Sequence, residues 1–256
     1  MRILLDDIDA LRIPLQSIQK KIDEIDITLT PDGLRISTID RSHVIFYELE
    51  IPEVVFTQYE VPFPENTTEY VLGLPTKELI TILGKAKRED TLEIVFKEKQ
   101  NQLQIQLLNY TTNVQKKYSV QVMDLESHIP TYPTIQREAT MTLPSKEFKQ
   151  YIADISTGST QRIQFQTIDD QLILKSLSEF ETNEIIIPLE ETQQHVSARY
   201  TYDYLVSMVQ ATGYSDDIIV CFGNDMPLEI EYDRPACFDN QQSLFKMMLA
   251  PRIEEE

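Results

Sequence analysis

Residues 226–256 read MPLEIEYDRPACFDNQQSLFKMMLAPRIEEE, and this is the most informative stretch of the chain. The apolar residues over 228–232 predict a β-strand, which a polar loop follows. A second apolar run over 244–249 predicts another strand, which ends at Ala250-Pro251. The chain then turns acidic over 254–256. This order indicates a tail that lies beside a sheet and stays available to a partner.

The composition is strongly acidic, with a formal net charge of −19 over 256 residues, and 41% of the residues are apolar. Such a chain can form one large domain or two smaller ones. Its charge alone argues against nucleic acid as a partner, because non-specific DNA affinity comes from Lys and Arg that displace counterions. Any DNA-binding face must therefore concentrate the cations locally.

The cysteines and the apolar runs give expectations about the compartment. Cys221 and Cys237 form neither a metal motif nor a disulfide framework, so we expect a reducing compartment. The first 30 residues lack a signal-peptide core, and no apolar run approaches the length of about 18 residues that a membrane span needs. The sequence therefore predicts a soluble intracellular protein with no membrane partner.

One helical motif recurs along the chain. Residues 74–79 read LPTKEL and residues 143–148 read LPSKEF. Proline, then a hydroxyl residue, then Glu is typical of a helix start, with the hydroxyl as its cap. Pro14 lies in the first predicted helix, where an interior proline costs about 3 kcal/mol, so that helix should begin near Ile13 or be kinked. The four predicted apolar stripes are Leu11, Leu15, Ile18 and Ile22; Leu79, Ile82, Leu83 and Ala86; Phe148, Tyr151, Ile152 and Ile155; and Leu205, Met208, Val209 and Thr212.

Short strand-like runs follow each predicted helix, so one helix and three or four strands recur about every 65 residues. This repeat predicts an α+β fold of two similar domains, each with two helices on one face of a curved antiparallel sheet. We expect the domains over 1–123 and 138–256, joined by an extended, proline-containing connector over 124–137. The paired runs are 26–29 with 34–39, 91–96 with 102–108, 162–166 with 172–176, and 218–222 with 228–232.

Three segments resemble DNA sliding clamps of the proliferating cell nuclear antigen (PCNA) family, in its archaeal form. Residues 38–44, TIDRSHV, resemble the family's Met-Asp-x-Ser-His/Arg-Val segment. Residues 222–227, FGNDMP, resemble its Phe-Gly-x-x-Met-Pro, and residues 249–255, LAPRIEE, resemble its closing Leu-Ala-Pro-Lys/Arg-Ile/Val-Glu-Glu. Each motif is weak alone. Together they lie in the family's order and near its spacing, and with the repeat they cover nearly the whole chain.

The resemblance implies a DNA-clamp fold whose three subunits close head to tail into a six-domain ring around duplex DNA. It implies a DNA polymerase processivity factor that is not an enzyme, has no cofactor and binds DNA without sequence specificity. The implied partners are a replicative DNA polymerase, a clamp loader, a flap endonuclease and a DNA ligase, which bind through short hydrophobic peptide motifs. A homotrimer is the first expectation and a heterotrimer the alternative. The location would be cytoplasmic, at the nucleoid, in an archaeon, and nuclear in a eukaryote.

In that family, the helix faces opposite the apolar stripes line the DNA channel. Cations on or beside these faces are the DNA-binding candidates, although an ordinary solvated helix face is the alternative for each one singly. The fourth helix has Asp203 and Gln210 where the family usually keeps cations, so its contact with DNA is in doubt. The candidates are Arg12, Lys20, Lys21, Lys77, Lys85, Lys146, Lys149 and Arg199.

The resemblance also implies an apolar pocket that takes a partner's peptide, with aromatic anchors filling it. The backbone of residues 250–252 would pair with an extended segment of the partner. Met248 stands where the family often has an aromatic residue, so partner preference can shift. The alternative is that these are ordinary core residues. The pocket candidates are Ile39, His43, Val44, Phe46, Leu125, Ile129, Pro130, Pro227, Met248, Ala250, Pro251 and Ile253.

The ring seam is implied to pair residues 116–122 of one subunit with residues 182–187 of its neighbour, since edge strands are natural templates for such pairing. Lysines on one side and glutamates on the other are complementary. Surface ion pairs contribute only about 0–1 kcal/mol each, so the apolar residues should matter more. The seam candidates are Lys116, Tyr118, Val120, Thr182, Glu184, Ile185 and Ile187.

Other function classes find little support. His43, His128 and His195 lack metal-ligand spacing, and none of the six glycines forms a phosphate loop, so we expect no metal site and no ATPase. Adjacent carboxylates such as Asp6 and Asp7 are usually caps or solvated charge, which argues against a hydrolase and leaves no catalytic candidate. The weak fourth helix keeps a second hypothesis open, an unequal subunit of a heterotrimeric or checkpoint-like clamp.

Overall fold

The computed structural model describes residues 1–65, 67–125, 131–177, 182–191, 193–235 and 242–252. Within them, strands dominate and four α-helices are interspersed at regular intervals, as the sequence predicts. In chain order the elements are β1 (Arg2–Leu5), α1 (Asp9–Ile18), β2 (Glu24–Thr30), β3 (Gly33–Ile39), β4 (Ile45–Pro52), β5 (Gln58–Glu60), β6 (Tyr70–Pro75), α2 (Thr76–Leu83), β7 (Thr91–Lys97), β8 (Gln102–Asn109), β9 (Val114–Gln121), β10 (Ala139–Pro144), α3 (Ser145–Asp154), β11 (Arg162–Ile168), β12 (Gln171–Leu177), β13 (Glu184–Pro188), β14 (Ser197–Thr201), α4 (Tyr202–Met208), β15 (Asp217–Phe222), β16 (Leu228–Pro235) and β17 (Gln242–Leu249).

The chain forms two compact units that are not continuous in sequence. The predicted limits at 1–123 and 138–256 do not anticipate that each unit takes a short segment from the other half of the chain. Unit 1 consists of Met1–Arg41, Tyr47–Thr131 and Arg234–Phe245, and unit 2 consists of Ser42–Phe46, Tyr132–Asp233 and Lys246–Glu256.

Unit 1 contains an antiparallel five-stranded sheet in the order β5-β1-β7-β8-β9 and a second run of neighbouring strands in the order β4-β3-β2-β6. The predicted hairpins 26–29 with 34–39 and 91–96 with 102–108 are confirmed by the pairings of β2 with β3 and of β7 with β8. Helices α1 and α2 pack against each other, and their apolar stripes are buried. A fork of hydrogen bonds from Arg234 to Asp7, at 2.6 and 2.9 Å, joins the far end of β16 to this unit.

Unit 2 contains the antiparallel four-stranded sheet β13-β12-β11-β14 and the neighbouring strands β10-β15-β16-β17. Its core is aromatic. The Phe165 ring lies at the centre, with the rings of Phe148, Tyr200 and Phe222 at 6.3, 5.3 and 5.9 Å, all in edge-to-face geometry. This geometry is the one that aromatic pairs prefer. Phe148 belongs to α3, so the cluster fixes the helix layer to both groups of strands.

The predicted stripes are buried with two exceptions, Ala86 after the second helix, which is half-buried, and Tyr151. Phe148, Ile152 and Ile155 on the third helix are fully buried, whereas Tyr151 is only half-buried. Its hydroxyl lies 3.3 Å from a carboxylate oxygen of Glu147, one turn earlier. Tyrosine can place its ring on apolar surface and keep its hydroxyl at the surface, which explains why an apolar pattern alone misplaced it.

The predicted hydroxyl caps are wrong. Pro75 and Pro144 occupy the positions before α2 and α3 with extended backbones, and neither Thr76 nor Ser145 makes a side-chain cap. Backbone carbonyls of distant loop residues accept the first N–H of each helix instead. The N–H of Thr76 donates to Asp23, and that of Ser145 donates to Asp216, each at 2.8 Å. The N–H of Tyr202, at the start of α4, donates likewise to the carbonyl of Gln161 at 3.0 Å.

Pro14 lies inside α1, which begins at Asp9 and not near Ile13 as expected. The proline ring is buried, and the Ser17 hydroxyl donates to the Pro14 carbonyl at 2.7 Å. Burial of this helix face in the core compensates for the hydrogen bond that proline cannot donate.

Gly33 provides a stability test. It closes the turn between β2 and β3 with φ of +139°, and a Cβ there would lie 2.2 Å from the Ile51 carbonyl oxygen. We expect Gly33→Ala to lower the free energy of unfolding by more than the roughly 1–3 kcal/mol that a strained backbone costs, because backbone must also move. Gly158→Ala is the matched control, since Gly158 has φ of +84° with no atom within 4 Å of its Cβ. Urea unfolding followed by circular dichroism measures both, and equal losses would contradict the steric argument.

Candidate functional site

The helix surface of unit 1 carries five of the predicted DNA-binding cations. Arg12 on α1 donates to Asp9 at 2.8 Å and reaches the Ala86 carbonyl at 3.4 Å, so it links α1 to the end of α2. Lys20 is exposed and Lys21 half-buried in the turn after α1, and Lys77 is exposed at the start of α2. These cations thus share the solvent side of two helices that pack against each other.

Lys85, the fifth of these cations, lies just after α2. Its ammonium lies 4.6 Å from the centre of the Tyr118 ring on β9, a cation–π geometry. A predicted DNA-binding residue and a predicted seam residue are therefore in direct contact.

The helix surface of unit 2 carries fewer cations. Lys146 is exposed on α3, and the ammonium of Lys149 lies 3.4 Å from the side-chain oxygen of Gln210. Arg199 does not lie on a helix, which corrects its assignment to the channel helices. It belongs to β14 and alternates with buried Ala198 and Tyr200, so its side chain is on the sheet face opposite Phe165 and α3.

Several of the predicted pocket residues belong to unit 2, where the Ser42–Phe46 segment lies against residues 250–252. The Ala250 N–H donates to the Val44 carbonyl at 2.9 Å, and the Arg252 N–H donates to the Arg199 carbonyl at 2.8 Å. Pro251 between them has no N–H. In the described part of the chain, the tail's backbone donors are therefore already used, and its carbonyls are what it has left for a partner.

The side chains of this surface are of two kinds. Phe46 and Met248 are buried, with exposures of 6% and 5%, while Val44, Pro227 and Pro251 are half-buried and Ala250 is exposed. His43 is exposed and has a left-handed backbone with φ of 56°.

The remaining pocket candidates belong to unit 1 or lie outside the described residues. Ile39 and Leu125 belong to unit 1 and are half-buried. Leu125 packs so closely on Gly73 that a Cβ at position 73 would lie 2.6 Å from the Leu125 Cγ. Ile129, Pro130 and Ile253 lie outside the described residues.

Tyr132 lies beside the pocket candidate Phe46, and the sequence analysis did not single it out. Its ring meets that of Phe46 edge to face at 5.1 Å, and the Lys246 ammonium lies 5.6 Å from its centre. Its hydroxyl lies near the Glu229 carboxyl and favours the charged form of that group. A tyrosine in a polar, proline-containing connector is the signal that could have identified it, because such a ring must find apolar surface nearby.

Glu229 and Glu231 are two residues apart and therefore lie on the same face of β16. Arg137 forms ion pairs with both carboxylates. Burial raises the pKa of Glu229, as does the neighbouring Glu231 charge, and the Tyr132 hydroxyl and Arg137 only partly offset this rise. Burial also raises the pKa of the Cys221 thiol, which lies beside the same groups. The cluster attaches the described end of the connector to the sheet of unit 2.

Both predicted seam strands are sheet edges, with β9 at the end of one sheet and β13 at the end of another. Tyr118 and Ile185 are half-buried, whereas Val120 and Ile187 are buried in their own subunit. Two exposed residues were missed, Val114 on β9 at 48% and Ile186 on β13 at 53%. Thr182 is exposed just before β13.

The predicted seam charges have partners inside their own units. The Lys116 ammonium lies 3.4 Å from Asp90 and 3.0 Å from the Lys85 carbonyl, and Glu184 pairs with Lys175 at 3.1 Å. Burial opposes ionisation of Asp90, but the Lys87 N–H, the Asn109 amide and Lys116 outweigh it and lower its pKa. Between α2 and β9 lies an open groove of about 640 Å³ whose apolar lining includes Ile82, Tyr118, Val120 and Met123.

The described residues contain no group of three or more His, Cys, Asp or Glu side chains placed to hold a metal ion. None of their helices is long and apolar enough to span a membrane.

The raised pKa of Glu229 predicts a pH dependence of stability. A carboxyl whose folded pKa lies above its ordinary value of 4.5 takes up its proton more readily in the folded state. Its contribution to stability is therefore fully present below about pH 4.5 and lost as the pH rises through the folded pKa. We expect Glu229→Gln to remove this contribution, so that lowering the pH toward about 4.5 raises the unfolding free energy less in the variant than in wild type.

Urea unfolding at several pH values measures this dependence. Glu191→Gln is the control, because Glu191 is an exposed glutamate of the same unit. An unchanged pH dependence in Glu229→Gln would contradict the assignment.

Comparison with known proteins gives consistent results. The family model described as Rad9 matches residues 12–200. The DNA polymerase sliding clamp of Methanothermobacter thermautotrophicus is 28% identical over 253 residues, which are 98% of each chain. The DNA polymerase sliding clamp 1 of Thermococcus kodakarensis is 30% identical over 243 residues, which are 91% of each chain.

Solved structures agree in fold. A chain of the PCNA2-PCNA3 complex from Sulfolobus tokodaii matches with a TM-score of 0.86 at 23% identity, over 98% of this chain and 99% of that one. The proliferating cellular nuclear antigen of Entamoeba histolytica matches with a TM-score of 0.87 at 18% identity, over 98% of each chain. The predicted α+β clamp fold is thus confirmed, and the family match confirms that the chain is not an enzyme. From these matches the chain belongs to the Rad9/PCNA family of DNA sliding clamps.

Proposed function

We propose that the chain is the subunit of a DNA polymerase processivity clamp, in which three copies close head to tail around duplex DNA. The observation that carries the proposal concerns two edge strands. In unit 1, β9 lies at the edge of an antiparallel sheet, in unit 2, β13 does the same, and each strand has an exposed apolar residue. An exposed edge strand is a template for pairing with another chain. When β9 of one copy pairs with β13 of the next, the first copy still has its β13 free and the second still has its β9 free. The third copy can then pair with both of these edges and close the ring.

The groove beside β9 supports this assembly. It lies between the helix layer and the edge strand of the same unit, and Tyr118 and Val120 contribute to its apolar lining. A neighbour that pairs with β9 would also cover this groove. Covering apolar surface is the main favourable term in such association, at roughly 25 cal/mol per Å².

The helix surfaces support DNA as the occupant of the ring. Cations such as Lys20 and Lys77 stand on exposed helix surface while the chain as a whole is strongly acidic. A few phosphate contacts suffice for a closed ring, because closure and not affinity keeps it on DNA, and few contacts keep it mobile. The acidic remainder repels DNA from other surfaces.

The pocket of unit 2 supports peptide partners. Val44, Phe46, Pro227, Met248, Ala250 and Pro251 supply its apolar surface, and Tyr132 adds an aromatic wall. We assign to it the short hydrophobic motifs of a replicative polymerase, a clamp loader, a flap endonuclease and a DNA ligase. The protein then works where the DNA is, at the nucleoid in an archaeon or in the nucleus of a eukaryote.

A second candidate is an unequal subunit of a heterotrimeric or checkpoint-like clamp. The observation that favours it is the helix surface of unit 2, where Asp203 and Gln210 are exposed and Lys149 meets an amide. A chain of this kind would close a ring only with sister chains.

Native mass at physiological salt separates the candidates. Light scattering of the homotrimer should give three times 29.8 kDa, and the ring should stay on nicked circular DNA and be lost when the DNA is cut to a linear form. A monomer or dimer that neither stays on circular DNA nor stimulates a polymerase alone would favour the second candidate.

The seam predicts an assembly variant. We expect Val114→Glu and Ile186→Glu each to shift the trimer toward monomer, because a carboxylate would be buried in the apolar contact. Val54→Glu is the control, since Val54 is 38% exposed but lies outside both edges. Sedimentation over a concentration series should show at least tenfold weaker association for the seam variants only. Equal behaviour of all three would exclude these edges as the seam.

The pocket predicts a partner variant. We expect Val44→Ala with Pro251→Ala to weaken the binding of a polymerase-derived hydrophobic peptide by roughly thirtyfold, since each deletion removes apolar contact of about 1 kcal/mol. The native mass should not change. Fluorescence anisotropy of a labelled peptide and light scattering measure the two properties. Loss of the oligomer together with binding would show that the tail is structural.

A further inference from the structure

The two units differ in the charge of their helix surfaces. Matched segments of 14 residues, each a helix with its following turn, span 9–22 and 76–89 in unit 1 and 145–158 and 202–215 in unit 2. The unit 1 segments carry seven cations and three acids, and the unit 2 segments carry two cations and three acids. The sign of the helix layer therefore changes from one unit to the other.

Surface geometry increases this contrast in unit 1. Lys20, Lys77, Lys87 and Arg88 are all exposed, so their charges face solvent. The charges of Asp9 and Arg12 largely cancel in their ion pair, so the net excess of cations comes from the lysines and Arg88. Three separate turns thus contribute cations to one surface of packed helices.

Unit 2 lacks such a surface. Lys149 is half-buried and lies near an amide, and Asp203 is exposed in the first turn of α4. Asp154 accepts a hydrogen bond of 2.6 Å from Gln150, so this end of α3 is acidic and solvated. Arg199, the further cation predicted there, is on the other face of its sheet.

We propose that the helix surface of unit 1 alone holds the phosphates of the encircled duplex, whereas that of unit 2 lines the channel without binding them. The inference rests on the proposed function. Each subunit then offers DNA one cationic region and not two. The duplex is attracted to alternate segments of the channel wall, because the local potential follows the sign of the nearest exposed charges.

The salt dependence of binding to a short labelled linear duplex tests this inference in the intact oligomer. We expect Lys20→Ala with Lys77→Ala to reduce the slope of log affinity against log salt by about two, since each lost phosphate contact removes about 0.9. Lys146→Ala with Lys149→Ala should reduce it by less than half as much. Asp203→Lys with Gln210→Lys should instead steepen the slope by about two, because the helix surface of unit 2 lacks only the positive charge that phosphate contacts need.

The possible outcomes separate this inference from the proposed function. Equal reductions by the two alanine pairs, in a wild type that binds the duplex, would overturn the inference and leave the clamp intact. An unchanged slope in Asp203→Lys with Gln210→Lys would overturn the claim that the unit 2 surface fails to bind phosphates because it lacks positive charge. A trimeric wild type with no salt-dependent binding to the short duplex would overturn the inference, whereas the proposed function would fall only if that trimer also failed to stay on circular DNA. Light scattering of every variant confirms that the oligomer is unchanged.

Discussion

The backbone hydrogen bonds that start the helices are the constraint on which much of this structure depends. Helices α2, α3 and α4 each follow a strand without an intervening turn, and each first N–H donates to the loop after the packed neighbouring helix, at Asp23, Asp216 and Gln161. Orphan N–H groups at a helix start must find acceptors, so these bonds fix where each helix leaves its sheet. That direction decides which side chains enter the core and which remain at the surface, and so it produces the charged helix layer.

Patterns that depend on neighbours in sequence predicted much of the fold. The apolar stripes at Leu11, Leu79 and Leu205 are buried, and the hairpin pairings follow from alternation, because burial of one face fixes both. Features that depend on distant residues were missed. The caps come from loop carbonyls, Arg199 falls on the outer side of its strand, and Tyr132 finds its partner in Phe46. The peptide surface was predicted from motifs, but its aromatic wall and buried carboxylates were not.

The acidic residues have different roles according to burial. On β16, Glu229 and Glu231 are buried against one Arg137, and burial, together with the neighbouring Glu231 charge, raises the pKa of Glu229. Near β9, a single Asp90 is surrounded by an N–H, an amide and Lys116, which lower its pKa. Net charge therefore says little about any one site. The number of donors around each carboxylate decides whether it is stabilised in its charged form.

The hydrogen bonds of the C-terminal tail have a consequence for the chemistry of inhibitors. The N–H groups of Ala250 and Arg252 are used by Val44 and Arg199, and Pro251 has none, so the backbone of residues 250–252 can accept hydrogen bonds from an added strand but cannot donate any. A competing ligand therefore gains from amide N–H groups aimed at these three residues and gains nothing from carbonyls. N-methylation of those ligand amides should abolish the pairing.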